Sequence, residues 1–295
     1  MARLEVAGAC RAHARDRPAR AGRRPHHRDR GAAQCGRSRV TISTIVFDLD
    51  DTLVPERAFW DAAFDVVCDG FTVPAREIEQ AVIRSAQELW RATEWYAHCD
   101  ALGLGSPSWL FTDALGDAPM LRGLHEQLPA YRQQAWSNAL TNLTLDAMHT
   151  DALVASLMAQ VGQHHAAFED VHPCLDDLGG YRLAVLTNGP SDLQRAKLTA
   201  SLLDPYFEAT TVLISAEIGL GKPDPRAFVH TAQALGVEID SCVMVGDSVR
   251  RDITGAVAAG MPAVHIDRRG TEEPDVEGVP RISSLLALRE AIAGL

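Results

Sequence analysis

Four short polar clusters carry residue types suited to phosphate chemistry: Asp48 and Asp50, Thr187-Asn188-Gly189, Lys222-Pro223, and Gly246-Asp247-Ser248 with Asp252. Asp48 and Asp50 stand two apart, so in an extended segment both side chains point toward a common site. One carboxylate can attack phosphorus and form an acyl phosphate, while the other protonates the leaving oxygen and later activates water. Asp247 offers a hard oxygen ligand that, with Asp48, can hold Mg²⁺. Several carboxylates in one pocket repel one another strongly, so the electrostatics call for a divalent cation. Thr187 offers a hydroxyl, and Asn188 and Gly189 offer backbone N–H groups near the start of a helix. Lys222 is a point charge for both the nucleophile and the phosphoryl oxygens.

These clusters follow short apolar runs that read as strands. Thr41–Phe47 is a β-branched run, and Leu183–Leu186, Val212–Ile214, Cys242–Val245 and Ala263–Ile266 follow it much later. Helical patterns over Asp192–Leu203, Pro225–Leu235, Val249–Ala259 and Ser284–Ile292 separate them, with Ser191 or Asp192 as the N-cap of the first. Alternation of this kind predicts an α/β fold, a parallel sheet with helices on both faces, whose ligands bind at the carboxyl ends of the strands. Between the first two runs lies a long stretch with no good strand. It carries amphipathic patterns over Pro55–Asp69, Pro74–Thr93, Leu121–Ser137 and Leu143–Val161. The expected organisation is a catalytic core of residues 41–54 and 169–295, interrupted by an all-helical module over 55–168.

Charge divides the 295 residues unevenly. Residues 1–40 hold eleven arginines against three acids, while the whole chain carries a net charge of -11. This Arg-rich segment has one leucine and no aromatic residue, and is expected to be a disordered, dispensable tail. The acidic body repels nucleic acid and anionic membrane surfaces, and no apolar run is long enough to span a bilayer. Six scattered cysteines without a C-x-x-C pair read as reduced thiols, which, with no secretory signal, predicts a cytoplasmic protein. His26–His27 and His164–His165 lack cysteine partners at zinc spacing and are expected on solvated surface.

The ordered clusters resemble the haloacid dehalogenase-like hydrolase superfamily, its phosphatase branch in particular. Asp48-Leu49-Asp50-Asp51-Thr52 is similar to its first motif, Thr187-Asn188-Gly189 to the second, Lys222-Pro223 to the third, and Gly246 to Asp252 to the fourth. The resemblance implies a Rossmann-like core with a helical cap inserted after the first motif, and Mg²⁺-dependent hydrolysis of a small phosphate ester through an aspartyl phosphate. By this resemblance Asp48 is the nucleophile, Asp50 the general acid/base, Thr187 and Asn188 the phosphoryl-binding residues, and Lys222 the charge-balancing cation. Mg²⁺ takes the Asp48 and Asp247 side chains and the Asp50 backbone carbonyl, with Asp252 orienting water ligands or Lys222. A phosphomutase of the same fold, a 2-haloacid dehalogenase and a non-catalytic binding protein are the alternatives. Asp50 argues against the dehalogenase, and the absence of lysine between 41 and 196 removes a Schiff-base phosphonatase. The tryptophans of the insert read mainly as core, and Arg57 as a solvated surface side chain, with reach to a second anionic group of the substrate as the alternative. Neither the oligomeric state nor the particular ester follows from these residues.

Overall fold

The computed structural model describes residues 41–116, 119–271 and 273–295. The predicted tail and the His26–His27 pair lie outside the described residues.

Six parallel strands form one sheet in the order β3-β2-β1-β4-β5-β6. They are β1 (Thr44–Phe47), β2 (Arg182–Thr187), β3 (Val212–Ile214), β4 (Cys242–Gly246), β5 (Ala263–Ile266) and β6 (Arg281–Ile282). The first five coincide with the apolar runs. The sixth is two residues long and has too little apolar periodicity to be read from sequence. Central β1 pairs with β2 from Thr44 opposite Arg182 to Phe47 opposite Val185, and with β4 from Thr44 opposite Cys242 to Phe47 opposite Val245. This register brings the chain leaving β1, β2 and β4 to the same edge, which is why distant clusters meet.

Side chains alternate across the sheet, and both faces are covered. Ile45, Phe47, Val185, Val243 and Val245 face one apolar cluster, closed by α6 (Val171–Asp177), α11 (Leu288–Ala293) and Leu198 of α7 (Ser191–Ala200). Val46, Ala184, Leu186 and Met244 face the other, closed by α9 (Pro225–Leu235) and α10 (Thr254–Ala259). Burial on both faces explains why these strands are continuously apolar rather than alternating. A short helix, α8 (Ser215–Ile218), follows β3. The predicted helix over Val249–Ala259 divides into a π turn at Val249–Ile253 and then α10.

Between β1 and β2 the chain forms α1 (Glu56–Val67), α2 (Ala75–Arg91), α3 (Tyr96–Ala101), α4 (Pro119–Asn142) and α5 (Thr150–Ala159). Phe59, Phe64, Ile78, Val82, Trp136 and Leu157 build its main apolar cluster, in which Leu193 of α7 is also buried. Trp60, Trp90, Trp109 and Trp136 are buried; Trp90 lies 5.2 Å from Trp109, and Trp136 stacks on Phe64 at 5.5 Å. These four indoles are structural. Arg57 is not a free surface cation: its guanidinium donates to Asp61 and, at 2.6 Å, to the fully buried Glu79.

The two links between insertion and sheet are fastened together. Phe168 donates its N–H to the Leu53 carbonyl at 3.0 Å. Arg268, just beyond β5, donates to the Thr52 carbonyl at 2.7 Å and to Asp170 at 3.1 Å, with its guanidinium 3.9 Å above the Phe168 ring. His165, in the second link, corrects the solvated-surface expectation. It is buried and stacks on Phe59 at 4.0 Å, because an aromatic ring beside an apolar helix face packs rather than hydrates; neighbouring His164 stays exposed. Among the described residues, no helix is long and apolar enough to cross a membrane. Cys68, Cys99, Cys174 and Cys242 are buried free thiols.

Candidate functional site

The chain turns sharply after β1. Asp51 takes φ 57°, and the N–H groups of Leu53 and Val54 return to the Leu49 carbonyl at 2.9 and 3.0 Å. This tight loop holds Asp48, 6% exposed, against the sheet edge. Lys222, 3% exposed, donates to Asp48 Oδ1 at 2.6 Å and lies 2.6 Å from Asp252 Oδ1. The Asn188 carboxamide holds Lys222 in place: Nδ2 donates to the Lys222 carbonyl at 2.7 Å, and Oδ1 accepts from the Lys222 N–H at 2.9 Å.

The end of β4 supplies the remaining carboxylates. Gly246 is required there, since a Cβ would fall 2.4 Å from Cγ of Asp252. Asp252 accepts from the Ser248 N–H at 2.9 Å and so closes its own loop. His265 on β5 is 3.1 Å from the Asp247 carbonyl through Nε2. Asp48, Asp247 and Asp252 each bring an oxygen within 4.8 Å of the others. Oδ1 of Asp247 is buried without a hydrogen-bond partner. Burial, reinforced by Asp48 and Asp252, pushes the Asp247 carboxyl up to about 8. Burial likewise raises Asp48 to about 6, against the opposing pull of Lys222. An orphaned carboxylate oxygen among mutually repelling carboxylates is the donor set a hard divalent cation fits.

Asp50 has different company. Lys197, 2% exposed, donates to its Oδ1 at 2.5 Å, and Gln194 Nε2 donates to its Oδ2 at 2.9 Å and to Thr187 Oγ1 at 2.6 Å. Burial disfavours the charge, but Lys197 and the Gln194 bond outweigh it and hold Asp50 below the usual carboxylate range. Glu56, at the start of α1, lies 3.7 Å from Lys197 and is raised to about 7 by burial and by Asp50. A pocket of about 270 Å³ opens beside Asp247, lined also by Asp51, Ser248, Arg251, Arg269 and Thr271.

The insertion rests directly on this site. Gly103 packs against the Asn188 side chain, and a Cβ at Gly221 would fall 2.3 Å from the Leu102 carbonyl oxygen. Gly221→Ala is therefore expected to hold the insertion off the sheet edge while the fold survives. Displacement of about 1 Å near reacting groups can cost ~10²-fold. A fall of that order in kcat/KM with an unchanged circular dichroism spectrum is the expected result; wild-type kcat/KM would show that this contact yields freely.

A haloacid dehalogenase-like hydrolase family model matches residues 42–260. The chain belongs to the haloacid dehalogenase-like hydrolase family. It is 31% identical over 241 residues to a phosphoserine phosphatase of Thermus thermophilus, covering 81% of this chain and 94% of that one. To a glyceraldehyde 3-phosphate phosphatase of Methanopyrus kandleri it is 41% identical over 238 residues, covering 78% and 85% respectively. Among solved structures, the magnesium-bound HAD-hydrolase YfnB of Bacillus subtilis aligns with TM-score 0.59 at 19% identity, over 85% of this chain and 99% of that one. That last likeness concerns the fold alone. The sequence relatives place this hydrolase in the phosphatase branch of its family.

Within the hydrolase, the expected residues Asp48, Lys222, Asp247 and Asp252 converge, and Thr187 reaches the same edge. One expectation needs revision: the Gly189 N–H donates to Ser215 Oγ at 3.1 Å, so it is not an open phosphate donor. The Asn188 side chain is committed to Lys222. The carboxylate trio that converges is Asp48, Asp247 and Asp252, and the Asp50 side chain is engaged by Lys197 and Gln194. The N-cap of α7 is Pro190, not Ser191 or Asp192. Asp192 instead accepts from Thr112 Oγ1 and, at 2.8 Å, from the Asp113 N–H of the insertion. Lys197, Gln194 and Glu56 lie outside the four polar clusters that mark the site in the sequence. Lysine scarcity was a usable signal, since Lys197 and Lys222 are the only two in the chain.

The raised carboxyls predict a pH-dependent response to metal. With Asp48 near 6 and Asp247 near 8, against 3.8 unfolded, these two carboxyls bind more protons in the folded metal-free protein than in the unfolded chain. Their contribution to stability therefore falls as pH rises from about 4 through 8. A cation that relieves the repulsion should raise Tm more at pH 8 than at pH 6, and its binding should release protons. Thermal melts with and without Mg²⁺ at both pH values check this; an equal increment at the two would contradict it.

Proposed function

We propose that this hydrolase is a Mg²⁺-dependent phosphomonoester hydrolase acting on a small phosphorylated metabolite through an aspartyl phosphate. The observation that carries the reading is the buried Asp48 carboxylate, bonded to Lys222 beside the orphaned Asp247 oxygen. Asp48 attacks phosphorus, forming a P–O bond to its carboxylate as the bond to the alcohol oxygen breaks. The leaving oxygen takes a proton from Asp50, and Asp50 then accepts a proton from the water that opens the aspartyl phosphate. Inorganic phosphate departs and the Asp48 carboxylate is regenerated. As found, both Asp50 oxygens accept hydrogen bonds, from Lys197 and Gln194, an arrangement that suits the base form used in the second half.

Asp48 and Asp247, with the Asp50 carbonyl, would hold Mg²⁺, which when bound supplies charge stabilisation to the phosphoryl oxygens. Lys222 balances the same charge, and Asp252 orients Lys222. The Thr187 hydroxyl and the Asn188 backbone N–H are the proposed phosphoryl contacts. The helical insertion acts as a cap, residues 55–168, that keeps bulk water out during transfer. The relatives' names span phosphoserine, phosphoglycolate and glyceraldehyde 3-phosphate, which supports a small metabolite ester without singling one out.

The test is hydrolysis of p-nitrophenyl phosphate and a panel of natural esters with and without Mg²⁺. Turnover that requires the metal, with one dominant ester, supports the reading and names the substrate. No turnover of any ester would sink it.

A further inference from the structure

We propose that Lys197, with Gln194 one turn earlier on α7, is a positioning residue that holds the Asp50 carboxylate for hydrolysis of the aspartyl phosphate; this rests on the role of Asp50 proposed above. The chain has only two lysines, and both are buried at this site, each against one carboxylate of the Asp48/Asp50 pair. Lys222 meets Asp48, and Lys197 meets Asp50. A lysine taken out of water is costly unless its partners are well placed, and the sheet's apolar packing has no need of one here.

The geometry around Asp50 leaves it little freedom. One oxygen accepts from Lys197 at 2.5 Å and the other from Gln194 at 2.9 Å. The same Gln194 nitrogen donates to Thr187 Oγ1 at 2.6 Å, so it spans Asp50 and the proposed phosphoryl contact. Residues three apart on a helix share a face, so one rigid element delivers both donors. That element is fixed on its other sides. Leu193 is buried in the insertion's apolar cluster, Asp192 accepts from Thr112 and Asp113, and Arg195 pairs with Glu217 at 2.9 Å. Holding both oxygens fixes the plane in which a water must approach to lose its proton to Asp50. The water proton passes to Asp50, its oxygen bonds phosphorus, and the bond from phosphorus to Asp48 breaks with its electron pair returning to the carboxylate.

The experiment uses the full chain with saturating Mg²⁺ and p-nitrophenyl phosphate, whose leaving group departs without a proton. In Lys197→Met the transfer to Asp48 should continue while hydrolysis of the aspartyl phosphate slows. General-base contributions are commonly about 10²-fold or more. The expected signature is a ~10²-fold fall in kcat with a matching fall in KM, so that kcat/KM stays within about threefold. A burst of one p-nitrophenolate per site should precede the slow steady state. Lys197→Arg should recover part of kcat, and Gln194→Leu should show the same split on a smaller scale. A fall in kcat/KM that tracks kcat at constant KM would reduce Lys197 to a structural charge and overturn the proposal, as would unchanged kcat. If Lys197→Met does not fold, the split in Gln194→Leu decides. Wild-type turnover and its loss in Asp48→Asn test the functional reading itself, independently of this split.

Discussion

Asp48→Asn is expected to lower turnover of every phosphate ester by about 10⁴-fold or more, because the proposed covalent nucleophile has no substitute in the site. The neighbouring carboxylates cannot take over. Asp252 is tied to Lys222 and to the Ser248 N–H, and Asp50 is held by Lys197 and Gln194. The fold should persist, since asparagine has the same shape and Lys222 keeps Asp252 as its counter-charge. Loss of the ionised Asp48 also removes one source of repulsion on Asp247. Turnover of p-nitrophenyl phosphate and Tm of the metal-free variant at pH 8 check both halves. A loss of less than about tenfold would move the nucleophile elsewhere.

Asp247→Asn should separate activity from stability in opposite directions. Its oxygen is buried without a partner and its carboxyl is pushed up to about 8, so the wild-type residue burdens the metal-free fold. Replacing it with a neutral amide should raise the Tm of the metal-free protein at pH 8.5. A gain of about 1 kcal/mol corresponds to ~2–4 °C in a domain of this size. The same change removes a ligand from the proposed cation site, so activity at saturating Mg²⁺ should fall by ~10²-fold or more. The Mg²⁺-induced rise in Tm should shrink with it. An unchanged Mg²⁺ increment would place the cation away from Asp247. A lower metal-free Tm would mean that Asp247 is a structural residue.

The parallel sheet was legible because β1, β3, β4 and β5, and most of β2, are buried on both faces. Burial of that kind forces a continuous apolar run, as in Cys242–Val245, and each run ends abruptly in polar residues at the strand's carboxyl end. Strand order and register were not legible, since pairing depends on contacts between separate segments, over a hundred residues apart where β1 meets β2 and β4. The short strand β6 and helix α3 escaped for the opposite reason: too few residues to show a period. The insertion was legible as helices from its 3.6-residue apolar period, but not its seating on Asn188 and Gly221.

The chemistry divides along the same line. Asp48, Lys222, Asp247 and Asp252 stood out in the sequence because each lies in a compact polar cluster with a fixed order along the chain. Lys197 and Gln194 lie inside an ordinary amphipathic helix, where a lysine and a glutamine usually mark the solvated face. Only the packing of α7 against the loop after β1 turns that face inward. Burial is a property of the assembled fold, and so is the partner that a buried charge acquires. Residue types and local spacing therefore specified which groups are present at the strand ends. The tertiary structure decided which carboxylate meets which lysine, because that depends on distances between α7, β1 and β4 that no local pattern encodes.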